Sequence, residues 1–282
     1  MTERRSWLSR LPRLRGNVDA ELDLIEDREL DGESDDAFGV DEAEAPSDLI
    51  SFENVSKSLG RGKERRLVLD GVNVTFRRGV FTGVLTKQAA GRVTLVNMIN
   101  ANSNPDVGVV RHGMSASWPL SQKSIMTKSR TLRSNIRIIS AMYGGWAPEV
   151  IDAVCDIAKI RRRDLDLEVR GLPANVSSHA AVALAYTLKF DCFVAAEHLC
   201  LGTPQFRDRM IELFTASKSD HSIVIVTKNI PVVQQVCDEC HVLDGATLRT
   251  YDTVSKAIHA FKSSRPNEAD PDDSDDGAGD DL

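Results

Sequence analysis

Hydrophobic and polar positions alternate along Leu49-Ile50-Ser51-Phe52-Glu53-Asn54-Val55 with the two-residue period of an edge strand. A charged turn, Gly60 to Arg66, follows, and Leu67-Val68-Leu69 leads to a second strand at Val72 to Phe76. Val80 to Leu85 is an unbroken apolar run, which predicts a buried strand, and the apolar spacing from Arg92 to Ile99 changes to that of a helix. Thr131 to Leu188 reads as mostly helical, with amphipathic stretches at Asn135–Tyr143, Pro148–Ile160 and Ala180–Leu188. Strand and helix then alternate: Asp191–Ala196 strand, Phe206–Ala216 helix, Ser222–Thr227 strand, Ile230–Cys237 helix, His241–Leu243 strand, and a turn at Gly245. Strands separated by helices call for a parallel sheet with crossovers, and the helical middle reads as an insertion into it. There is no internal repeat.

The segment after the buried strand, Gly83 to Leu95, has the layout of a phosphate-binding loop without most of its chemistry. A working loop reads G-x-x-x-x-G-K-[S/T]: glycines let backbone N–H groups surround the phosphates, while Lys and a hydroxyl hold the γ-phosphate and Mg²⁺. Here Lys87-Gln88-Ala89-Ala90-Gly91-Arg92-Val93-Thr94 occupy that stretch. Thr86 and Ala89 stand at the glycine positions, Arg92 at the lysine and Val93 at the magnesium hydroxyl. The strand–loop–helix order that such a loop requires is nonetheless intact.

Charge is unevenly spread over the 282 residues, whose net charge is −7. Residues 17–48 hold 14 acids and one base, the last 20 hold 8 acids and one base, and the first 16 hold five arginines and one acid. That leaves a core, 49–262, of about +9 between acidic ends. Asp19–Glu44 and Asp270–Asp281 have too little apolar surface to offset ordering entropy and are predicted to be disordered. They read either as solvating tails or as segments that screen a basic face of the core or dock on a basic partner. The C-terminal acids lack the ordered ligands and closing Glu of a calcium loop. Arg4 to Arg15 interleaves arginines with Trp7 and leucines, as a short interfacial anchor does, but Pro12 interrupts it; a floppy basic start is the competing reading. Five cysteines without a secretory signal suggest reduced thiols in the cytosol. Cys237-Asp238-Glu239-Cys240-His241 is a single C-x-x-C, read as structural thiols between helix and strand rather than half of a zinc site. No apolar run reaches the ~18 residues of a membrane span, so membrane contact is expected to be peripheral.

Over about residues 49–262 the chain resembles the ATP-binding subunits of ABC transporters, and within them those exporting capsular polysaccharide. The motifs carrying this are Gly83–Leu95, Ser117-Trp118-Pro119-Leu120, Asn135-Ile136-Arg137 leading to Tyr143-Gly144, Phe190-Asp191-Cys192, Val242-Leu243-Asp244-Gly245 and Tyr251-Asp252. The Trp-Pro pair and the Tyr-Asp close point to the polysaccharide branch. The resemblance implies an α/β P-loop NTPase-like nucleotide-binding domain over 49–262, a mixed sheet with an inserted helical subdomain at about 128–190; composition adds a disordered, basic then acidic extension at 1–48 and a disordered acidic tail at 263–282. The resemblance also implies that Glu197 sits where the family has its general base, and Ala196 where it has the Asp that orders the magnesium shell. The signature that touches the γ-phosphate across a dimer falls on Pro173-Ala174-Asn175-Val176, the magnesium-sensing glutamine on Thr127 and the switch histidine on Lys228. Near Ser58, where an aromatic often stacks on adenine, stands Leu59.

Losing one transition-state contact costs on the order of 10² to 10³ in rate, so this set of changes predicts that ATP hydrolysis is lost and Glu197 is vestigial. The altered loop assigns no cofactor by itself; ATP with Mg²⁺ is what the resemblance implies for a loop that stays competent. The leading expectation is a degenerate cassette subunit acting as scaffold or regulator of a polysaccharide-type exporter. Its expected partners are a permease and an intact or identical ATP-binding subunit, at the inner face of the cell membrane, with no nucleic acid. The competing expectations are a functional ATP-binding subunit of such an exporter, and a non-transport module that binds a polyanion through the basic core.

Overall fold

The computed structural model describes residues 48–62, 65–120 and 125–264. The basic start, both acidic segments and the arginine–tryptophan stretch therefore lie outside the described residues, except for Asp48 and two residues of the C-terminal segment. Three strands, β1 (Leu49–Leu59), β2 (Arg66–Arg77) and β4 (Val107–His112), form an antiparallel sheet in the order β2-β1-β4. A second sheet runs β5-β6-β3-β7-β8, from β3 (Phe81–Thr86), β5 (Cys192–Ala196), β6 (Ser222–Thr227), β7 (Glu239–Asp244) and β8 (Thr247–Thr250). Its first four strands are parallel, as the strand–helix pattern predicts, and β8 returns antiparallel to β7, so the sheet is mixed as the resemblance implies.

β3 and β6 are buried along their whole length, which is why they read as apolar runs rather than alternations. Their side chains still alternate between faces. Val84, Val194, Val224 and Val226 join α1 (Ala89–Ile99) and the antiparallel sheet in one core, with Phe52, Phe76, Leu95 and Ile99. On the other face Phe81, Phe193, Ala195, Ile223 and Ile225 pack with the helical middle. That middle comprises α2 (Leu132–Met142), α3 (Ala147–Ala158) and α4 (Ala174–Thr187), all between β4 and β5 in the chain. The same core takes in α5 (Pro204–Ala216) through Phe206, Met210 and Phe214. A third core beside β7 joins α6 (Ile230–Val236) and α7 (Val254–Ser263) through Val233, Ala257, Ile258 and Phe261.

Helix starts follow local chemistry. Thr131, Thr203 and Thr253 cap α2, α5 and α7, each accepting the N–H of the residue three further on, and Pro148 and Pro204 take first-turn positions where no N–H is needed. Sequence motifs scattered along the chain meet in space: Trp118, Tyr143 and Phe190 form an aromatic cluster with centroids 5.1–6.0 Å apart. Ser117 and Leu120 donate backbone N–H groups to Cys192 and Val194, so the Ser-Trp-Pro segment lies along the free edge of β5.

The structure corrects the sequence reading in three places. Helix α1 begins at Ala89, three residues before the expected Arg92, because alanines at 89 and 90 form helix readily where glycines would not. Strands β4 and β8 carry mostly exposed side chains and so lack the alternation that reveals a strand. The amphipathic helix α7, which covers β7 with one apolar face, was not picked out as an element.

Two predictions follow from packing. Gly108 lies at φ +85° in β4, and a Cβ there would sit 2.2 Å from the backbone oxygen of Asn54. Gly108→Ala is expected to lower stability by about 1–3 kcal/mol in urea unfolding. His221 is buried among Phe81, Phe193 and Phe214, and burial pushes it down from 6.5 to about 4. The unfolded chain takes up this proton first, so the neutral ring's contribution is complete above about pH 6.5 and is lost as pH falls towards 4. His221→Phe is expected to remove up to about 3 kcal/mol of the acid-side decline in stability while leaving the alkaline side unchanged.

Candidate phosphate site

In an open parallel sheet the crevice for ligands lies beyond the carboxyl ends of the strands. There, β3 ends at Thr86, β5 at Ala196 and β6 at Thr227. Two of these ends share a device: the Thr86 hydroxyl accepts the N–H of Gln88 at 3.2 Å, and the Thr227 hydroxyl accepts that of Asn229 at 2.9 Å. Only Lys87 and Gln88 then separate β3 from α1. Gln88 is buried and is the N-cap, with no side-chain cap bond, and its carbonyl already accepts the Arg92 N–H at 3.1 Å. Two amides of the stretch that would wrap a phosphate are thus committed to the chain itself, and Ala89 and Ala90 form the first turn of a helix.

Lys87 is turned away from this crevice. Its ammonium donates to the Ser264 carbonyl at 2.5 Å and stands 5.2 Å from the centre of the Phe261 ring, at the end of α7. Gly91 faces the sheet, where a Cβ would come 2.7 Å from Leu243 Cδ2. Thr94 is buried, while Val93 points outward with 54% of its surface exposed.

Arg92 and Glu197 are brought together. The Arg92 Nη1 forms an ion pair with Glu197 Oε1, with side chains 13% and 25% exposed, and Oε1 is otherwise without a hydrogen-bond partner. Glu197 lies just past β5 at φ +66°, a left-handed conformation costly for a residue with a Cβ. It is held there by its N–H to the Val226 carbonyl at 3.0 Å and by the Thr227 hydroxyl, which donates to the Glu197 carbonyl at 2.8 Å. Thr227 was not singled out from sequence; its place one residue before Lys228, at the end of an apolar strand, is the signal that could have found it.

The other aligned positions serve local structure. Pro173 is the N-cap of α4 and supplies neither a hydroxyl nor an N–H, and the hydroxyls of Ser177 and Ser178 donate back to the Ala174 carbonyl at 3.0 and 2.9 Å. Thr127 is tied through its backbone to the Asn135 amide, at 2.7 and 3.1 Å. Cys237 ends α6 and Cys240 is buried in β7; burial pushes the Cys240 thiol up to about 12 and Cys237 higher, so both stay protonated. Asp191, at the entry to β5, is held below the usual carboxylate range: burial alone would raise it, but Ser115 and Arg78 outweigh that.

The donor set does not fit a magnesium–triphosphate. Val93 offers no side-chain oxygen, Ala196 no carboxylate, and the Glu197 carboxylate is paired with Arg92. An anion could reach Arg92 only by competing with Glu197 for the guanidinium.

The fold is that of an ATP-binding cassette. The chain superposes on the dimeric cassette MJ0796 in a post-hydrolysis state bound to ADP and Pi with a TM-score of 0.63, at 16% identity, covering 73% of this chain and 98% of that one. In sequence it is 28% identical to the capsule polysaccharide export ATP-binding protein CtrD of Neisseria meningitidis serogroup B, over 76% of this chain and 99% of that protein. It is 23% identical to the polysialic acid transport ATP-binding protein KpsT of Escherichia coli, over 76% and 96%. No family model matches the chain.

The two halves of the Arg92–Glu197 ion pair are coupled energetically. Glu197→Gln, which leaves the largely buried Arg92 charge unpaired, is expected to cost about 1–3 kcal/mol. The double variant with Arg92→Met should be more stable than the sum of the single losses by at least about 0.5 kcal/mol. Additive losses in urea unfolding would mean that the two residues do not act as a pair.

Proposed function

We propose that the chain is a cassette subunit of a polysaccharide-type export complex that scaffolds or regulates the complex without turning over ATP. The observation that carries this reading is the Arg92–Glu197 ion pair. It joins the residue in the phosphate-lysine position to the residue in the general-base position, so each neutralises the other where a working site would aim both at substrate. Val93 and Ala196 remove the metal contacts, and Pro173 removes the donor that a partner cassette would receive. In this reading Lys87 to Thr94 are a degenerate phosphate loop and Glu197 is vestigial. Residues 49–262 are one cassette unit with a helical part at about 128–190, and the partners are a permease and a second cassette, intact or identical. No helix among the described residues is long and apolar enough to cross a membrane, which fits a peripheral place beside a permease.

The relatives favour a second reading more directly. CtrD and KpsT are ATP-binding proteins by name and align over nearly their whole length, which supports a subunit that still binds ATP. A paralogue would then supply the intact signature, although both this chain's loop and its signature position are altered.

The readings separate in one assay. Purified protein, alone and with candidate cassette partners, is expected to show no magnesium-dependent phosphate release that depends on Glu197, and no tight Mg-ATP binding by calorimetry. Turnover that disappears in Glu197→Gln would establish the second reading and end the first.

A further inference from the structure

Helices α2 and α3 border an open surface cleft of about 490 Å³, away from the candidate phosphate site. Its apolar floor is Trp146, Ala147, Pro148 and Ile151, and its rim carries Arg133, Arg137 and Arg162 against the single acid Asp152. Arg133 is engaged by Asp166 at 2.7 and 3.1 Å, and Arg162 by Asp152 at 2.6 Å. Arg137 is exposed and has no partner among the described residues. Trp146 leaves 65% of its surface in solvent, and Met142, at the end of α2, leaves 74%. A large exposed indole beside an unpaired guanidinium suits a ligand that is both anionic and apolar.

We propose that this cleft is the docking site of the chain's own N-terminal segment Asp19–Leu30. That segment, DAELDLIEDREL, combines six acids and one base with Leu22, Leu24, Ile25 and Leu30. It therefore matches the unpaired Arg137 and the apolar floor together. The C-terminal Asp270–Asp281 has seven acids but no large apolar side chain, so it matches Arg137 alone. The segment is within reach: 17 residues separate Leu30 from Asp48, where the described chain begins, a span of up to about 56–61 Å when extended. A domain of this size has a radius of gyration of only about 17 Å. CtrD aligns over 99% of its length with only 76% of this chain, so about a quarter of the chain is additional to that relative. Exposed acid–arginine contacts each contribute little, but a tether holds the segment at an effective concentration in the millimolar range, where weak contacts suffice.

Docking would place an intramolecular competitor over Trp146 and Arg137, so that any partner of this face must first displace it. The proposal is independent of whether ATP binds. It is tested on the full-length chain carrying Trp7→Phe, in which Trp146 is the exposed tryptophan and Trp118 is buried. Acrylamide quenching of the indole is expected to be low. It should rise, with a red shift of emission, when Asp19, Glu21, Asp23 and Glu26 are changed to Asn or Gln, when Leu22 and Ile25 are changed to Ser, or when Arg137 is changed to Glu. Neutralising Asp272, Asp273, Asp275 and Asp276 should leave it unchanged. Near-ultraviolet circular dichroism of the Arg137→Glu protein and of the N-terminal variants checks that the fold survives. Three results would overturn the proposal: an indole fully quenched in the parent chain, protection that depends on the C-terminal acids instead, or protection that grows with protein concentration and so comes from a second copy.

Discussion

The distance between α1 and the parallel sheet constrains everything at the phosphate site. Gly91 permits it, because any Cβ there would enter the volume held by Leu243. With α1 so close and its first turn formed at Ala89, the connection from β3 is two residues long, and Thr86 folds it by accepting the Gln88 N–H. A phosphate loop needs the opposite arrangement: slack chain, glycine backbone and amides left over for an anion. Here helix–sheet packing and loop solvation compete for the same residues, and packing wins. Apolar burial at Leu95, Val96, Met98 and Ile99 holds α1 in place whether or not an anion arrives.

With the helix begun at Ala89, Arg92 places its charge against Glu197. A largely buried guanidinium without a counter-ion is costly, and Glu197 is the carboxylate at the same strand ends. The ion pair also explains why Glu197 persists in a left-handed conformation, since Thr227 and Val226 fix its backbone while Arg92 fixes its side chain. A carboxylate can therefore remain at a catalytic position for a reason unrelated to catalysis. Resemblance at Glu197 alone carries little weight for activity; the geometry around it carries more.

Much of the fold was legible because its determinants are local or periodic. The apolar runs at β3 and β6, the threonine caps and the first-turn prolines leave marks in a single sequence. The exposed edge strands β4 and β8 leave almost none, since their place is set by neighbours: β4 is fixed by pairing with β1, where Gly108 crosses the Asn54 bulge. At the site, the side chains at Val93 and Ala196 were legible as residues, though not where they point. The Arg92–Glu197 contact and the diversion of Lys87 to Ser264 were not, because each joins residues more than a hundred positions apart or depends on where a helix ends. The motif frame also misled: reading Gly83–Leu95 as a loop placed the helix start at Arg92, whereas alanine propensity had already moved it to Ala89.

Core and site therefore answer to different physics. A core position asks for apolar volume and tolerates volume-conserving exchange such as Ile for Leu at about 1.5 kcal/mol or less, and similarity to CtrD and KpsT persists at 23–28% identity along nearly the full length of those proteins. A phosphate site asks for particular atoms at particular places, and a methyl group at Val93 or Ala196 removes them outright. A shared scaffold does not by itself fix the chemistry at the strand ends. Similarity along the whole length therefore speaks to the shared fold, while turnover depends on a few polar atoms whose geometry must be read position by position.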